Sequence, residues 1–135
     1  SKRGEHQVIV YDNKMWVIGG EKNNGDGLND VWSSTDGVTW TEMTSNASFS
    51  KREMHQVIVY DNKMWVIGGL EDISSDMLND VWSSTDGVNW DEETSGAAFD
   101  ARDAHQVIVY DNKMWVIGGY DDSNYLNDVW QTIYP

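Results

Sequence analysis

The chain has no cysteine. That excludes disulfide staples, thiolate metal sites and cysteine nucleophiles together. Proline is almost absent as well, the only one being the last residue, Pro135. No apolar run exceeds about 4–5 residues, far short of the roughly 20 that a membrane-spanning helix requires. Helical periodicity is missing throughout. Positive charge is scarce, with 9 Lys and Arg against 23 Asp and Glu and a net charge of −14. Nucleic acid and anionic membranes both demand a basic footprint, so neither is an expected partner. The acidity favours solubility and cationic partners, although Asp and Glu in such numbers also simply solvate loops. There is no secretory signal, and a chain that opens on Ser reads as a processed or tag-cleaved product, so its compartment is not legible.

What is present is one stretch written three times. HQVIVYDNKMWVIGG occupies His6–Gly20, His55–Gly69 and His105–Gly119 without a substitution. The spacing from His6 to His55 is 49 positions and from His55 to His105 it is 50. A fixed period of that size defines a repeat architecture. LNDVW follows each copy at Leu28–Trp32, Leu78–Trp82 and Leu126–Trp130. SSTDGV follows the first two, at Ser33–Val38 and Ser83–Val88, and then comes Trp40 or Trp90. An arginine precedes each His by three positions: Arg3, Arg52 and Arg102.

Within a unit, Gln7–Tyr11 reads as a β-branched strand, Asp12-Asn13 as a tight turn and Lys14–Ile18 as the returning strand. Both strands are apolar on both faces, which suits burial between neighbouring sheets. Gly19-Gly20 is expected to end the second strand. A third strand is expected at about Asp30–Ser34, a two-residue hairpin at Asp36-Gly37 and a fourth strand from Val38 to about Met43. In the third copy, Gln131–Pro135 aligns with Ser83–Gly87, so the hairpin and fourth strand are missing, and Pro135 would blunt the strand edge left bare.

A strand ending in Gly-Gly, then Trp32, then Trp40 about eight residues on, with Arg-x-x-His ahead and a period near 50, resembles the Kelch repeat. The resemblance covers essentially the whole chain. It implies an all-β fold in which each repeat is one four-stranded antiparallel blade of a β-propeller, the first strand lining the channel and the fourth outermost. The expected organisation is a single repeat domain over 1–135, with blades at about 1–46, 47–96 and 97–135. Propellers close with about 4–8 blades. Three blades leave two open apolar faces. Two copies would supply six, blade three of each meeting blade one of the other, so the expected partner is the chain itself as a homodimer. Near-identity of the units points to recent amplification or deliberate engineering.

The copies differ in two kinds of segment: Glu21–Gly27, Leu70–Met77 and Tyr120–Tyr125 between strands two and three, and the connections into strand one, such as Asp91–Ala104. In an antiparallel meander these emerge on one face, and the invariant turns on the other. Loops on a rigid scaffold carry recognition. Leu70, Met77, Tyr120 and Tyr125 are therefore candidate contacts for a protein ligand or, alternatively, a glycan. His6, His55 and His105 would ring the channel mouth of a closed propeller, where they could meet a metal or anion or simply make local hydrogen bonds. Arg3, Arg52 and Arg102 would ring the same face and either clamp carboxylates or pair with local acids. Trp16, Trp65 and Trp115 read as core, and Phe49 and Phe99 as packing between blades. No calcium-loop spacing, phosphate loop, catalytic triad or paired catalytic carboxylates stands out, and the resemblance offers only a Tyr–Cys copper chemistry that a cysteine-free chain cannot perform. A non-enzymatic scaffold with no cofactor is the expectation.

Overall fold

The computed structural model describes residues 1–132. These residues form strands, turns and bends with no helix among them. The first unit contains β1 (Arg3–Gly4), β2 (Gln7–Tyr11), β3 (Lys14–Lys22), β4 (Gly27–Ser34) and β5 (Thr41–Thr44). The second repeats it as β6 (Arg52–Glu53), β7 (Gln56–Tyr60), β8 (Lys63–Glu71), β9 (Met77–Ser84) and β10 (Asp91–Thr94). The third has β11 (Gln106–Tyr110), β12 (Lys113–Tyr120) and β13 (Tyr125–Thr132). Within each unit, consecutive long strands pair antiparallel. The expected blunting by Pro135 lies outside the described residues.

The Asp-Asn turn behaves as its sequence demands. Tyr11 faces Lys14 across the ladder, and Asp12 and Asn13 both have positive φ, 48° and 55°. Two left-handed residues in a row twist the hairpin to match its strands, and after glycine Asn and Asp tolerate that conformation best.

Three local expectations are corrected. Gly19-Gly20 does not end the second strand, because β3 continues to Lys22 through a bulge between Ile18 and Gly20. The glycines supply the positive φ that the bulge needs, 60° and 96°. Asp36-Gly37 is not a two-residue hairpin, since Ser33 pairs with Thr41 and the loop between them is longer. Asp36 builds that loop by accepting the N–H groups of Val38 and Thr39 at 2.8 and 2.7 Å, while Ser34 Oγ accepts the Gly37 N–H. The N–H groups of Thr39 and Val38 hold the Asp36 carboxyl down to about 2. The fourth strand consequently starts at Thr41 rather than Val38.

The two-residue strands were not foreseen. β6 bridges β8 on one side and β4 of the preceding unit on the other. It thereby joins the first two units into one sheet path, and places the connection into a unit beside the loop between its second and third long strands. First long strands of successive units, β2, β7 and β11, lie next to one another. β5 and β10 sit on the outer edges, against β4 and β9.

The core lies between units. One cluster joins Tyr11, Trp16, Ile18 and Val31 of the first unit to Val57, Met64, Val66 and Trp90 of the second. The next joins Trp65, Ile67 and Val81 to Val107, Met114 and Val116. Phe49 meets Trp90 edge-on at 5.1 Å, within the first of these clusters. Each unit thus presents a Trp-Ile face forward and a Val-Met face backward. Because each face is buried only by a neighbour, the same residue differs in exposure along the chain. Ile18 and Ile67 are buried while Ile117 is 37% exposed, and Val57 is 8% exposed while Val8 is 54%.

Candidate functional site

Each arginine of the Arg-x-x-His motif grips the aspartate of its own unit's LNDVW. Arg52 places Nη1 and Nη2 each 2.7 Å from the two Asp80 oxygens. Its Nη1 also donates to Gly68 O, its Nε to Ser50 O and its Nη2 to Ser50 Oγ. All five guanidinium donors are thereby used. Arg3 with Asp30 and Arg102 with Asp128 repeat the bidentate pair. The carboxylates also accept an indole N–H, from Trp32, Trp82 or Trp130. Burial pushes Asp30 upward, but its bonds from Arg3 and Trp32 and the charge of Arg3 outweigh that and hold it below the usual carboxylate range. The hydrogen bond from Arg102 brings Asp128 down to about 2.

Arg52 and Arg102 are fully buried, and each guanidinium stacks over a phenylalanine, Phe49 or Phe99, at 5.6 and 5.7 Å. In place of an accessible ring of arginines for a carboxylate ligand, the chain therefore has internal ties. The neighbouring asparagine has a related task. Asn29 Nδ2 donates to Ala47 O and Phe49 O, and Asn79 Nδ2 to Ala97 O and Phe99 O, fastening the connection into the next unit. The sequence contained the signal, an invariant Leu-Asn-Asp after each Gly-Gly, but not the partner of each polar group.

His55 and His105 are also fully buried. Among the described residues neither has a good hydrogen bond at either ring nitrogen. Burial, reinforced by the charge of Arg52, drives His55 down to about 3, against a weak upward pull from the Ile18 backbone. Burial and Arg102 likewise bring His105 to about 4. Both rings are neutral knobs that fill space rather than ligands facing a channel mouth. His6 is only half-buried, with Nδ1 enclosed and without a hydrogen-bond partner among the described residues. Among the described residues no three His, Asp or Glu side chains are grouped to hold a metal ion.

The loop residues form two cross-strand pairs. Leu70 stands opposite Met77, and Tyr120 opposite Tyr125. The tyrosine rings are 5.4 Å apart, and Tyr125 is 91% exposed. Ile73, at the tip of its loop and 88% exposed, escaped notice in the sequence although it is a lone aliphatic residue among polar ones. Acidic groups share this side. Burial, a carboxyl–carboxyl hydrogen bond with Glu21, and the charges of Glu21, Glu5 and Asp72 raise Glu53 to about 7. Burial and Asp122 raise Asp103.

Antiparallel units that bury their core against one another, each tied by a buried Arg–Asp pair and a Gly-Gly bulge, define a β-propeller repeat protein. Residues 1–132 match the family model of the KLHDC2/KLHL20/DRC7 Kelch-repeats domain. The chain belongs to the Kelch-repeat family. A search of curated proteins finds no significant match. Kelch-repeat domains are generally non-enzymatic scaffolds for protein interaction.

Proposed function

We propose that this chain is a non-enzymatic Kelch scaffold that pairs with a second copy into a six-bladed ring and offers its variable loops to a protein partner. The observation that carries the reading is the unequal exposure of identical residues. Val8 and Val10 are 54% and 70% exposed on the backward face of the first unit, and Ile108, Ile117 and Tyr110 are 48%, 37% and 70% exposed on the forward face of the third. The counterparts Val57 and Val107 of Val8, Tyr11 of Tyr110, and Ile18 and Ile67 of Ile117 lie in the buried inter-unit core, so the two open faces have the composition of faces that already fit one another. A groove of about 290 Å³, lined by Arg3, His6, Val17, Trp32 and Trp40, marks the backward face. Blades at about 1–46, 47–96 and 97–135 would then alternate around the ring.

The recognition surface in this reading is the loop side, with Leu70, Met77, Tyr120 and Tyr125 as contacts above the Arg and His scaffold. A glycan ligand is the second reading, favoured by the exposed Tyr125 ring beside Tyr120, which offers a stacking surface. Light scattering over a dilution series tests the assembly. Twice the 15.4 kDa chain mass is expected. A folded monomer at 15.4 kDa, stable with both faces bare, would overturn it.

A further inference from the structure

We propose that the Arg3–His6 segment of a second copy docks in a defined slot on the third unit, its backbone beside Leu126 and its His6 imidazole over Gly118. The proposal rests on the self-association reading and specifies its contacts and polarity.

The slot is recognised by comparing three equivalent glycines. At Gly19, an added Cβ would lie 2.9 Å from His55 Cε1, 3.2 Å from Leu28 O and 3.3 Å from Arg52 O. At Gly68 the corresponding neighbours are His105 Cε1 at 3.0 Å, Leu78 O at 3.0 Å and Arg102 O at 3.1 Å. At Gly118 only Leu126 O, at 3.2 Å, remains among the described residues. The imidazole and arginine carbonyl that close the niche elsewhere come from the following unit. Backbone bonds from that unit accompany them. Arg102 N donates to Leu78 O, and Gly69 N donates to Arg102 O, both at 3.0 Å. No described residue makes the corresponding bonds to Leu126 and Gly119.

The missing piece is present at the other end of the molecule. β6 pairs on both of its edges, with β4 and β8, whereas among the described residues β1 pairs only with β3. β1 therefore keeps one edge free for a strand of a preceding unit. Its shape is already set. Glu5 holds φ of 51°, beside 52° at Met54 and 50° at Ala104. These three residues form a one-way relay, in which Met54 N donates to Glu5 O and Ala104 N to Met54 O. A docked second copy would extend it, with Glu5 N donating to Ala104 O. It would also give Tyr110 the bond that its counterparts have. Tyr11 and Tyr60 hydroxyls donate to Asn62 O and Asn112 O of the next unit at 2.9 Å, and Tyr110 has no such partner among the described residues. Preorganisation of both surfaces lowers the entropic cost of docking.

Gly118→Ala tests the slot. Its left-handed strain is equal in free and associated chains, so only the contacts with His6 and the Arg3 carbonyl of the second copy distinguish them. The dimer dissociation constant is expected to rise at least tenfold, with circular dichroism unchanged. An unchanged constant overturns the slot while leaving self-association standing. If the variant does not fold, two single variants of this cysteine-free chain, Glu5→Cys and Ala104→Cys, decide. Under mild oxidation a covalent dimer is expected only when the two are mixed. Wild-type association without this mixed cross-link overturns the slot alone. A wild-type chain that stays monomeric overturns the parent reading and the slot with it.

Discussion

A methyl group on Gly19 would stand 2.9 Å from Cε1 of His55, which belongs to the next unit of the chain. The glycine of one unit and the histidine of the next are therefore a single packing device. The bulge that carries the glycine brings β3 close, and the ring fills the space a side chain would have taken. This is a physical reason for both residues to occur in all three copies.

Gly68→Ala should expose the energy of that device. The new methyl would meet His105 Cε1 and Leu78 O at 3.0 Å with φ fixed at 57°. Left-handed strain of about 1–2 kcal/mol adds to overpacking of about 1–3 kcal/mol. Urea denaturation should show a loss of about 2–5 kcal/mol. A loss under 0.5 kcal/mol, roughly the level of a neutral surface change, would mean that the niche relaxes freely.

Arg52→Ala leaves Asp80 without its partner, the two having met at 2.7 Å with the arginine side chain fully enclosed. Breaking a buried pair from one side costs about 3–5 kcal/mol. Arg52→Lys should recover little of it, because an ammonium cannot reproduce the two-pronged grip or reach Ser50 and Gly68 together. Denaturation midpoints of the two variants check this, and a lysine variant as stable as wild type would refute it.

His55 and His105 should remain neutral in the folded protein well below the usual histidine range, since burial brings them to about 3 and 4. The unfolded chain takes up protons near its ordinary value of about 6.5. It therefore binds more protons than the native state below that pH, and these residues lower stability as pH falls from about 6.5 towards 4. Proton NMR should find both imidazole signals unshifted between pH 8 and roughly pH 5. A midpoint near 6.5 for either would contradict their burial.

Glu53 works in the opposite direction. Its folded value of about 7 lies above the ordinary 4.5. The native state holds the extra proton, so stability falls as pH rises from about 4.5 through 7. Glu53→Gln should raise the melting temperature at pH 8 and leave it nearly unchanged at about pH 5, where the native carboxyl is already protonated. Equal effects at both pH values would show that burial and the neighbouring carboxylates do not hold the native Glu53 carboxyl protonated.

Tyr125→Ala should be silent in stability, within about ±0.5 kcal/mol, as expected for an exposed residue away from core and caps. Any loss of ligand or glycan binding in that variant would then belong to the surface itself. A large fall in melting temperature would instead make Tyr125 part of the scaffold.

The repeat, its strands and the Kelch resemblance were legible because apolar period, turn chemistry and spacing are local properties of the sequence. The Asp12-Asn13 turn followed from two residues alone. The bulge at Gly19-Gly20 did not, because its crowding comes from His55 of the next unit at Gly19 and from the chain folding back at His6 beside Gly20. The Asp36-Gly37 signal misled because Asp36 and Ser34 bind the following N–H groups and open a wider loop. Among the site residues, the pairing of Leu70 with Met77 and of Tyr120 with Tyr125 needed the register to be seen. The arginines were ambiguous in sequence, since 23 acids offered partners. Only the fold brings Asp30, Asp80 and Asp128 into line with them.

The relay from Ala104 to Met54 to Glu5 runs in one direction. It gives the arc a sense of rotation, so a second copy can continue it only by standing the same way up. A ring closed on those terms displays every loop pair twice, towards the same side. A weak grip by each copy would then act as avidity against any partner that presents two epitopes at matching separation.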